Sequence, residues 1–377
     1  MVRGVYIHIP FCHQICNYCD FNKFFFQNQP VDEYIESLGK EMSLWQNDAE
    51  PAKIDTIFIG GGTPTSLTVE QLDRLLSLIH KHIPMEHVTE FTSEANPDEL
   101  TLEKMQLMRK YGVNRLSMGV QTFDQDLLKV LGRTHSNDHV YEVIEYAKQT
   151  EFPSISIDLM YGLPNQTMEQ WKASLHEAFR LKIPHISAYS LLVEPKTIFY
   201  NLLSKGKLSL PGEDLEAEMY SYLLEEMKNH GYTQYEISNF AYDGKESKHN
   251  LLYWNNDEYI GLGAGAHGYV NGVRYSNHGP LKKYMHTIDL GEKPLMMQKE
   301  VTKVEKMEEE MFLGLRKNEG VSLEKFEGRY GIALHDIYGK ELDELLQKEL
   351  IIIQDNFVRL TTRGRFIGNE VFQYFLK

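Results

Sequence analysis

Three cysteines, Cys12, Cys16 and Cys19, lie close together near the N-terminus and are the only cysteines in the 377-residue chain. An odd number of thiols in so short a segment argues against a disulfide framework and indicates a metal site. A structural zinc ion takes four ligands, so a zinc-stabilised module would need His8 or His13 to complete the set. The C-x3-C-x2-C spacing instead suits an iron–sulfur cluster. Most protein-bound four-iron clusters take four thiolate ligands. With three thiolates, one iron stays open to an outside ligand, which predicts chemistry at the cluster.

Polar residues that suit a nucleoside ligand follow several strand-like runs in the first half of the chain. The run IDTIFI is followed by Gly60-Gly61-Gly62-Thr63, whose bare backbone lets the polar end of a ligand approach closely. This turn is neither a P-loop nor a GxGxxG fingerprint, because it lacks the residues that define them. Four further polar residues stand at or near the ends of later runs: Glu94, Gln121, Arg133 and Asp158. Their side chains offer hydrogen bonds to the amino, carboxylate and ribose groups of a nucleoside.

The elements that must position these residues are strands that alternate with amphipathic helices. Six apolar runs are typical of strands: VYIHI, IDTIFI, VTEFTSEA, RLSMGV, ISIDLM and HISAYSLL. Between them, apolar residues recur at helical spacing, as Leu72, Leu75, Leu76 and Ile79 do after a Thr68–Gln71 capping box. Six strand–helix units in succession predict a parallel sheet with right-handed crossovers. The fold class is therefore α/β, a partial (β/α)6, TIM-like barrel with its functional residues at the carboxyl ends of the strands.

Three units are expected along the chain. The strand–helix rhythm ends near residue 205, which predicts a barrel unit over residues 1–205. Residues 206–298 form an accessory α/β segment that contains the string HNLLYW, starting at His249. Residues 299–377 are predicted to form a C-terminal helical, winged-helix-like domain, in which helices precede a β-hairpin with Asp355-Asn356 at its tip.

Composition and charge exclude several classes of protein. Hydrophobic residues make up 42% and charged residues 25%, as in ordinary globular proteins. Lys and Arg number 39 against 54 Asp and Glu, and the net charge of −15 disfavours binding to nucleic acid or an anionic membrane. The winged-helix-like domain has no basic recognition helix, so a structural or partner-docking role is expected there. No apolar run approaches the ~18 residues of a membrane span and no secretion signal is present, which predicts a soluble cytoplasmic protein.

The strings YIHIPFCHQICNYCDF, FIGGGTPT, SEANPDEL, RLSMGVQTF, LGRTH and IDLMYGLPNQT resemble the radical S-adenosylmethionine (SAM) superfamily. Within it they are similar to the oxygen-independent coproporphyrinogen III dehydrogenase group. The resemblance implies a radical SAM barrel in which Cys12, Cys16 and Cys19 hold a 4Fe-4S cluster. The open iron would chelate SAM, and an electron from the cluster would cleave its sulfonium. Tyr6 and Tyr18 would flank the adenine and cluster region. The implied SAM contacts are Gly61, Gly62, Thr63, Glu94, Gln121, Arg133 and Asp158, with Ala188 as a weaker candidate.

Two departures separate the chain from the dehydrogenase. Phe21 stands where that pattern has a further Cys, and the first strand begins almost at Met1, without a long segment that helps to enclose porphyrinogen. Both features fit a paralogous group, the radical SAM heme chaperones. In that group the H-N-x-x-Y-W pattern, here His249 to Trp254, is associated with heme binding. An imidazole beside flat aromatic rings suits a heme, although the same residues also occur in ordinary polar–aromatic loops.

We therefore expect a heme chaperone that binds a 4Fe-4S cluster, SAM and heme, with His249 in the heme region, and that transfers heme to an acceptor protein. The alternative is the dehydrogenase reaction, the oxidative decarboxylation of coproporphyrinogen III propionates. Whether SAM is cleaved stays open, so no enzyme activity is assigned. The expected partners are a heme-accepting protein, an electron donor such as a flavodoxin or ferredoxin, and a second copy of the chain. His267, in GLGAGAHGY, faces either the SAM site or nothing at all.

Overall fold

The six apolar runs form six parallel strands in chain order, within one sheet of 12 strands. The computed structural model describes residues 2–48 and 53–376. The strands are β1 (Gly4–Ile9), β2 (Thr56–Gly61), β3 (Glu90–Ala95), β4 (Arg115–Gln121), β5 (Ser154–Tyr161), β6 (His185–Ser190), β7 (Thr233–Glu236), β8 (Asn239–Ala241), β9 (Tyr259–Leu262), β10 (His267–Val270), β11 (Val273–Asn277), β12 (Leu295–Glu300), β13 (Val321–Ser322), β14 (Ile351–Gln354) and β15 (Phe357–Leu360). Two further short strands, Phe11–Cys12 and Phe24–Phe25, pair with each other.

Helices follow most of the parallel strands, as the alternating pattern predicts. They are α1 (Val31–Asp48), α2 (Val69–His82), α3 (Leu102–Lys110), α4 (Gln125–Leu131), α5 (Asn137–Gln149), α6 (Met168–Arg180), α7 (Ile198–Ser204), α8 (Glu213–Asn229), α9 (Lys248–Trp254), α10 (Leu281–Asp289), α11 (Lys303–Gly314), α12 (Leu323–Tyr330), α13 (Leu334–Gln347), α14 (Thr362–Phe366) and α15 (Gly368–Gln373). The predicted apolar face of α2 is fully buried, and its Thr68–Gln71 capping box is present.

A seventh parallel strand, which the sequence did not predict, lies on the outer side of β1. Strand β9 pairs with β1 in parallel, so that Gly4 lies opposite Tyr259 and Tyr6 opposite Gly261. The full strand order is β12-β11-β10-β9-β1-β2-β3-β4-β5-β6-β8-β7. Residues 206–298 thus contribute strands to both edges of the sheet that residues 1–205 begin. One continuous sheet contains strands from both sides of residue 205. The division of the chain into domains at that residue stays a prediction.

The two faces of the parallel strands have different environments. On β1, Val5, Ile7 and Ile9 are buried in the main hydrophobic core, whereas Tyr6 and His8 point to the opposite, inner face. The inner face also carries Phe58 of β2 and Glu94 of β3, because facing residues of paired strands share a side of the sheet. Polar functional groups therefore gather on the inner face, where the strands end.

The C-terminal part of the chain has its own core. Buried residues from Met307 to Phe375 form a cluster separate from that of the main sheet. Helices α11, α12 and α13 lead into the β14–β15 hairpin, and Asp355 and Asn356 at its tip have φ values of 50° and 66°. This confirms the predicted α/β fold class, a parallel sheet with a C-terminal helical domain; the winged-helix-like character of that domain stays a prediction. Across residues 2–48 and 53–376, no helix is both long and apolar enough to cross a membrane.

Candidate functional site: a cysteine-lined cavity at the strand ends

The three cysteines line one cavity at the carboxyl ends of the first five strands. The cysteine loop, residues 13–23, is closed at its base by the paired strands Phe11–Cys12 and Phe24–Phe25. The cavity, of about 140 Å³, is lined by Cys12, Gln14, Ile15, Cys16, Tyr18, Cys19, Phe21, Lys23, Gly61, Gly62, Thr63, Glu94, Ala95, Asn96, Ser117, Gly119, Gln121, Arg133 and Asp158. The proposed cluster ligands and SAM contacts therefore lie in one place, with the exception of Tyr6 and Ala188; the proposed heme residue His249 also lies elsewhere.

Burial governs the ionisation of two of the cysteine thiols. It raises the pKa of Cys12 to about 12, although a hydrogen bond from the Thr63 hydroxyl, 3.6 Å from Sγ, opposes the rise. Burial also raises the pKa of Cys19, against the opposing charge of Lys23. Thiols in this state are neutral at physiological pH until a metal displaces their protons, since a coordinating thiol is deprotonated. In the described part of the chain, no three metal-binding side chains converge on one ion position. Thiols spread around a cavity can still each bind a different iron of one cluster.

The glycine turn after β2 passes close to the backbone of the cysteine segment. A Cβ on Gly62 would lie 2.8 Å from the Pro10 carbonyl carbon, and one on Gly61 would lie 2.4 Å from Nδ1 of His8. Gly61 also has a φ of 113°, which only glycine adopts without strain. The turn thus needs glycine for backbone geometry and for its close approach to the cysteine segment, to which the N–H groups of Gly62 and Thr63 donate at the Ile9 and Phe11 carbonyls.

Two carboxyl groups face the cavity, Glu94 from β3 and Asp158 from β5, the strands on either side of β4. Glu94 accepts a hydrogen bond from the Gly61 N–H at 3.0 Å. Burial and, second, the negative charge of Asp158 raise the pKa of Glu94 to about 8. Burial also raises the pKa of Asp158, while hydrogen bonds from Ser187 and Ser117 and the charges of Arg115 and Arg133 oppose the rise. Carboxyl groups with this much uncompensated burial favour a cationic or hydrogen-bond-donating ligand.

Arg133 is held at the cavity wall by two hydrogen bonds. Its guanidinium donates to Oδ1 of Asn96 and to the Gly119 carbonyl, each at 2.7 Å, and a Cβ on Gly119 would collide with it. Its Nε is buried without a hydrogen-bond partner. Gln121 ends β4 at a bulge and has a φ of 66°, a left-handed conformation that turns its side chain to the cavity. The guanidinium of Arg133 and the amide of Gln121 can therefore both bind the polar end of a ligand.

The remaining predicted contacts lie at different depths. Tyr18 lines the cavity, with its ring 6.5 Å from that of Phe199. Tyr6 lies deeper on the inner face, where its hydroxyl is 2.9 Å from Nδ1 of His8. Ala188 packs in the main hydrophobic core, on the face of β6 opposite Ser187. Tyr6 and Ala188 thus do not line the cavity, and their assignment as SAM contacts stays a prediction.

His249 lies away from the cysteines, at the opposite end of the strands. Its side chain is 0% exposed, with Nδ1 2.8 Å from Oγ1 of Thr56 and Nε2 2.9 Å from the Tyr253 hydroxyl. Glu90, at the start of β3, accepts hydrogen bonds from the N–H groups of Lys248 and His249, which fixes the first turn of α9. Helix α9 therefore closes the amino end of the barrel. The role of His249 in heme binding stays a prediction.

Sequence reasoning missed several residues of the cavity. Asn96 donates to Thr63 at 3.3 Å and accepts from Arg133, so it links two predicted contacts. It follows Glu94 by two residues, and the period of a strand could have revealed it. Ser117 donates to Asp158 at 3.4 Å from the middle of β4, where no local pattern marks it. Lys23 comes from the cysteine loop, whose course depends on tertiary contacts.

The residues fit a cluster and a SAM molecule. Cys12, Cys16 and Cys19 would bind three irons, while Glu94 and Asp158 suit the amino and ribose groups of SAM, and Arg133, with its orphan Nε, suits a carboxylate. A cluster held by these cysteines would be able to supply an electron to the sulfonium of a bound SAM. The chain's own residues orient the ligand and shield it from water.

Comparison with known proteins identifies the class that this fold and cavity define. The Radical SAM superfamily model matches residues 6–178, and the HemN C-terminal domain model matches residues 301–367. The structure superposes on coproporphyrinogen III oxidase (HemN) from Escherichia coli with a TM-score of 0.87, covering 99% of this chain and 90% of that one, at 23% identity. The fold and the site are those of a radical SAM protein, a class that carries a 4Fe-4S cluster and SAM.

Sequence similarity narrows the class further. The chain is 50% identical over 376 residues to the heme chaperone HemW of Bacillus subtilis (strain 168), covering 100% of this chain and 99% of the relative. It is 44% identical to the heme chaperone HemW of Lactococcus lactis subsp. lactis (strain IL1403), with 99% and 97% covered, and 32% identical to that of Escherichia coli (strain K12), with 99% and 98% covered. The chain belongs to the heme chaperone HemW family.

Proposed function

We propose that this protein is a heme chaperone, which binds heme and passes it to an acceptor protein. The observation that carries the proposal is the 50% identity to a heme chaperone over the whole of both chains. An identity spread over the full length covers the cavity, the HNLLYW segment and the C-terminal domain together. A shared radical SAM fold alone would support only the cluster and SAM.

The cluster and SAM have a supporting part in this proposal. The cysteine loop lies against the strand ends, so a bound cluster would add thiolate–iron bonds that hold this loop in the cavity wall. SAM at the open iron would then fill the polar space between Glu94, Arg133 and Asp158. We infer that heme is accepted by the loaded protein and not by the apo chain.

The partners follow from the same function. A chaperone needs a heme-accepting protein, and a cluster of this class needs an electron donor, which we propose is a flavodoxin or ferredoxin. We also propose a cytoplasmic location and a homodimer. A net charge of −15 would favour a partner with a basic surface.

Anaerobic titration tests the proposal. Cluster-reconstituted protein is titrated with heme and followed by absorbance, and is then supplied with coproporphyrinogen III, SAM and a reductant. We expect heme uptake near one per chain and no decarboxylated product. Failure to take up heme would contradict the proposal, and formation of protoporphyrinogen would replace it with the dehydrogenase reaction.

A further inference from the structure

Helix α7 is bonded to the cysteine loop at its first turn. The Phe199 N–H donates to the Asn17 carbonyl at 3.0 Å, and the Asn17 N–H donates to the Leu131 carbonyl at 2.9 Å. The Asn17 side chain also donates to the Val130 carbonyl at 2.8 Å. Asn17 directly follows Cys16, so these bonds join the cysteine loop to the end of α4 and to the start of α7.

A small hydrophobic cluster, separate from the main core, holds this junction together. Its buried members are Leu127, Leu131, Met160, Leu163, Leu191 and Phe199. Tyr18 of the cysteine loop packs against this cluster and also lines the cavity. The buried ring of Phe199, 6.5 Å from the ring of Tyr18, thus fixes α7 beside the cavity wall.

The segment that contains α7 also presents large apolar side chains to solvent. Leu192 in the preceding loop is 68% exposed, and Ile198, Tyr200 and Leu203 of α7 are 50%, 43% and 39% exposed. Exposed apolar residues that lie singly are ordinary, whereas a group of them marks an interaction site. We call the exposed side chains of residues 192–207 the α7 surface.

The α7 surface is basic, although the net charge of the chain is −15. Lys196, Lys205 and Lys207 are exposed, and the one acidic residue of the segment is Glu194. Within residues 2–48 and 53–376, none of the three ammonium groups forms an ion pair. The lysines are therefore available to a negatively charged partner, whose approach to the acidic remainder of the molecule would be unfavourable.

We propose that the α7 surface docks a small acidic electron-carrier protein, which reduces the cluster through the cysteine loop. The apolar side chains supply contact area, and the lysines orient the carrier and speed its association. One electron leaves the reduced cofactor of the carrier and takes the 4Fe-4S cluster from its 2+ to its 1+ state, and no bond forms or breaks. This inference rests on the proposed function and names the surface that receives the electron donor.

The position of the α7 surface favours an electron carrier over a heme acceptor. The cysteine loop is in direct contact with α7, so a protein docked there lies close to the cluster ligands. The HNLLYW segment, where heme binding is expected, lies at the opposite end of the strands. A partner that takes heme from that segment would not need this surface.

The experiment compares cluster-loaded full-length protein with two double variants. Lys205→Glu/Lys207→Glu reverses two charges of the α7 surface, and Lys282→Glu/Lys283→Glu, the control, reverses two exposed charges on α10. Reduced flavodoxin, an acidic carrier, is mixed anaerobically with each protein, and the second-order rate constant of cluster reduction is measured at low and high salt. Calorimetry gives the affinity for oxidised flavodoxin. Dithionite, which needs no docking, serves as a second reductant.

We expect Lys205→Glu/Lys207→Glu to lower the rate constant with flavodoxin roughly tenfold or more at low salt, and less at high salt, because salt screens the charges. The affinity for oxidised flavodoxin should fall in parallel, whereas the rate with dithionite and the iron and sulfide content should match the wild type. The α10 variant should behave as the wild type. Leu192→Ser should weaken binding at both salt concentrations, because its contact is apolar.

Four results would overturn the inference. They are an unchanged rate in Lys205→Glu/Lys207→Glu, an equal loss in the α10 variant, and wild-type protein that dithionite reduces but flavodoxin does not. The fourth is loss of self-association with retained affinity for flavodoxin, which would assign the surface to a second copy of the chain. Absence of heme uptake by the wild type, with reduction by flavodoxin intact, would contradict the proposed function alone.

Discussion

Burial has the largest effect on the ionisable groups of the cavity. It lifts the pKa of Cys12 and of Glu94 far above their ordinary values, and neighbouring charges only modify the result. Both groups are therefore neutral at pH 7 in the empty protein. Ligands that carry positive charge or remove protons bind by restoring the charged forms. The cavity therefore favours a cationic ligand, or a metal that displaces thiol protons, over water.

Replacing Cys16 with Ala is expected to abolish cluster binding, because two thiolates leave two irons without a protein ligand. Iron and sulfide analysis with visible absorbance after anaerobic reconstitution measures the effect. Asp20→Ala, which changes an exposed neighbour of Cys19, is the control and should keep the cluster. Full iron and sulfide in Cys16→Ala would remove this residue from the ligand set.

Replacing Glu94 with Gln should stabilise the empty protein at alkaline pH. The folded-state pKa of Glu94 is raised from 4.5 to about 8, so its contribution to stability is fully present below about pH 4.5 and is lost as pH rises through about 8. Glutamine stays neutral and can still accept from the Gly61 N–H. The melting temperature of Glu94→Gln should match that of the wild type near pH 5 and exceed it by a few degrees at pH 9. A pH-independent difference between the two proteins would show that the carboxyl group is ionised in the fold.

The sequence predicts the residues whose role depends on local position. Cys12, Glu94 and Asp158 could be assigned because a thiol motif or a strand end marks them. Ser117 could not, since its contact with Asp158 depends on the register between β4 and β5. The structure brings these residues together in one cavity. The sequence also could not predict that both ring nitrogens of His249 are buried, because a short motif carries no information on which residues pack against it.

At the scale of elements, the glycine-rich loop between β9 and β10 depends on a buried carboxyl group. Glu41 of α1 accepts hydrogen bonds from the Gly263 N–H at 2.8 Å and from Nδ2 of Asn277 at 2.7 Å, and from the Tyr284 hydroxyl. Burial raises its pKa to about 7. This group connects α1, α10 and the loop, and the loop in turn holds Asn22. The cysteine loop is therefore positioned by elements more than 200 residues away in sequence.

Asn22→Ala should loosen the cysteine loop, because it removes both hydrogen bonds to the glycine-rich loop and leaves two carbonyls unpaired. We expect a loss of about 1–3 kcal/mol in unfolding free energy, and faster removal of the cluster by an iron chelator. Asn201→Ala, at an exposed position of α7, is the matched control. Equal rates of cluster loss in the two variants would contradict a positioning role for Asn22.

Strand β9 shows why the sequence could predict the consecutive strands but not the whole sheet. Six strands follow one another with helices between them, and this local rhythm is visible in the apolar pattern. The pairing of β9 with β1 joins Tyr259 to Gly4 across most of the chain, and no periodicity records such a partner. The hairpin tip at Asp355-Asn356 was predictable because turn residues mark it locally.

At the scale of the whole molecule, the C-terminal domain packs on the accessory strands and not on the cavity. The Arg274 guanidinium of β11 pairs with Glu309 of α11 at 2.7 Å, and the Asn318 N–H donates to the Tyr235 carbonyl at 3.0 Å. The cavity lining ends at Asp158, so the cluster and SAM site is complete without this domain.

Phe326→Ala tests this division. Phe326 is fully buried in the second core, so its truncation should cost about 3–5 kcal/mol. We expect earlier thermal unfolding and proteolysis of the C-terminal domain, with normal cluster content at low temperature. Ile352→Ala, at a site that is 41% exposed, should behave as the wild type. Loss of the cluster in soluble, folded Phe326→Ala would show that the two parts are coupled.

Transfer of heme to another protein tests the central claim most directly. Cluster- and SAM-loaded full-length protein carrying one heme is mixed with apomyoglobin under anaerobic conditions, and formation of holomyoglobin is followed by absorbance. Free heme with bovine serum albumin as a competing scavenger is the control for release into solution. The account predicts transfer that depends on the concentration of the acceptor and outpaces scavenging by albumin. Heme that stays bound, or that leaves at the same rate whichever protein is present, would contradict a chaperone function.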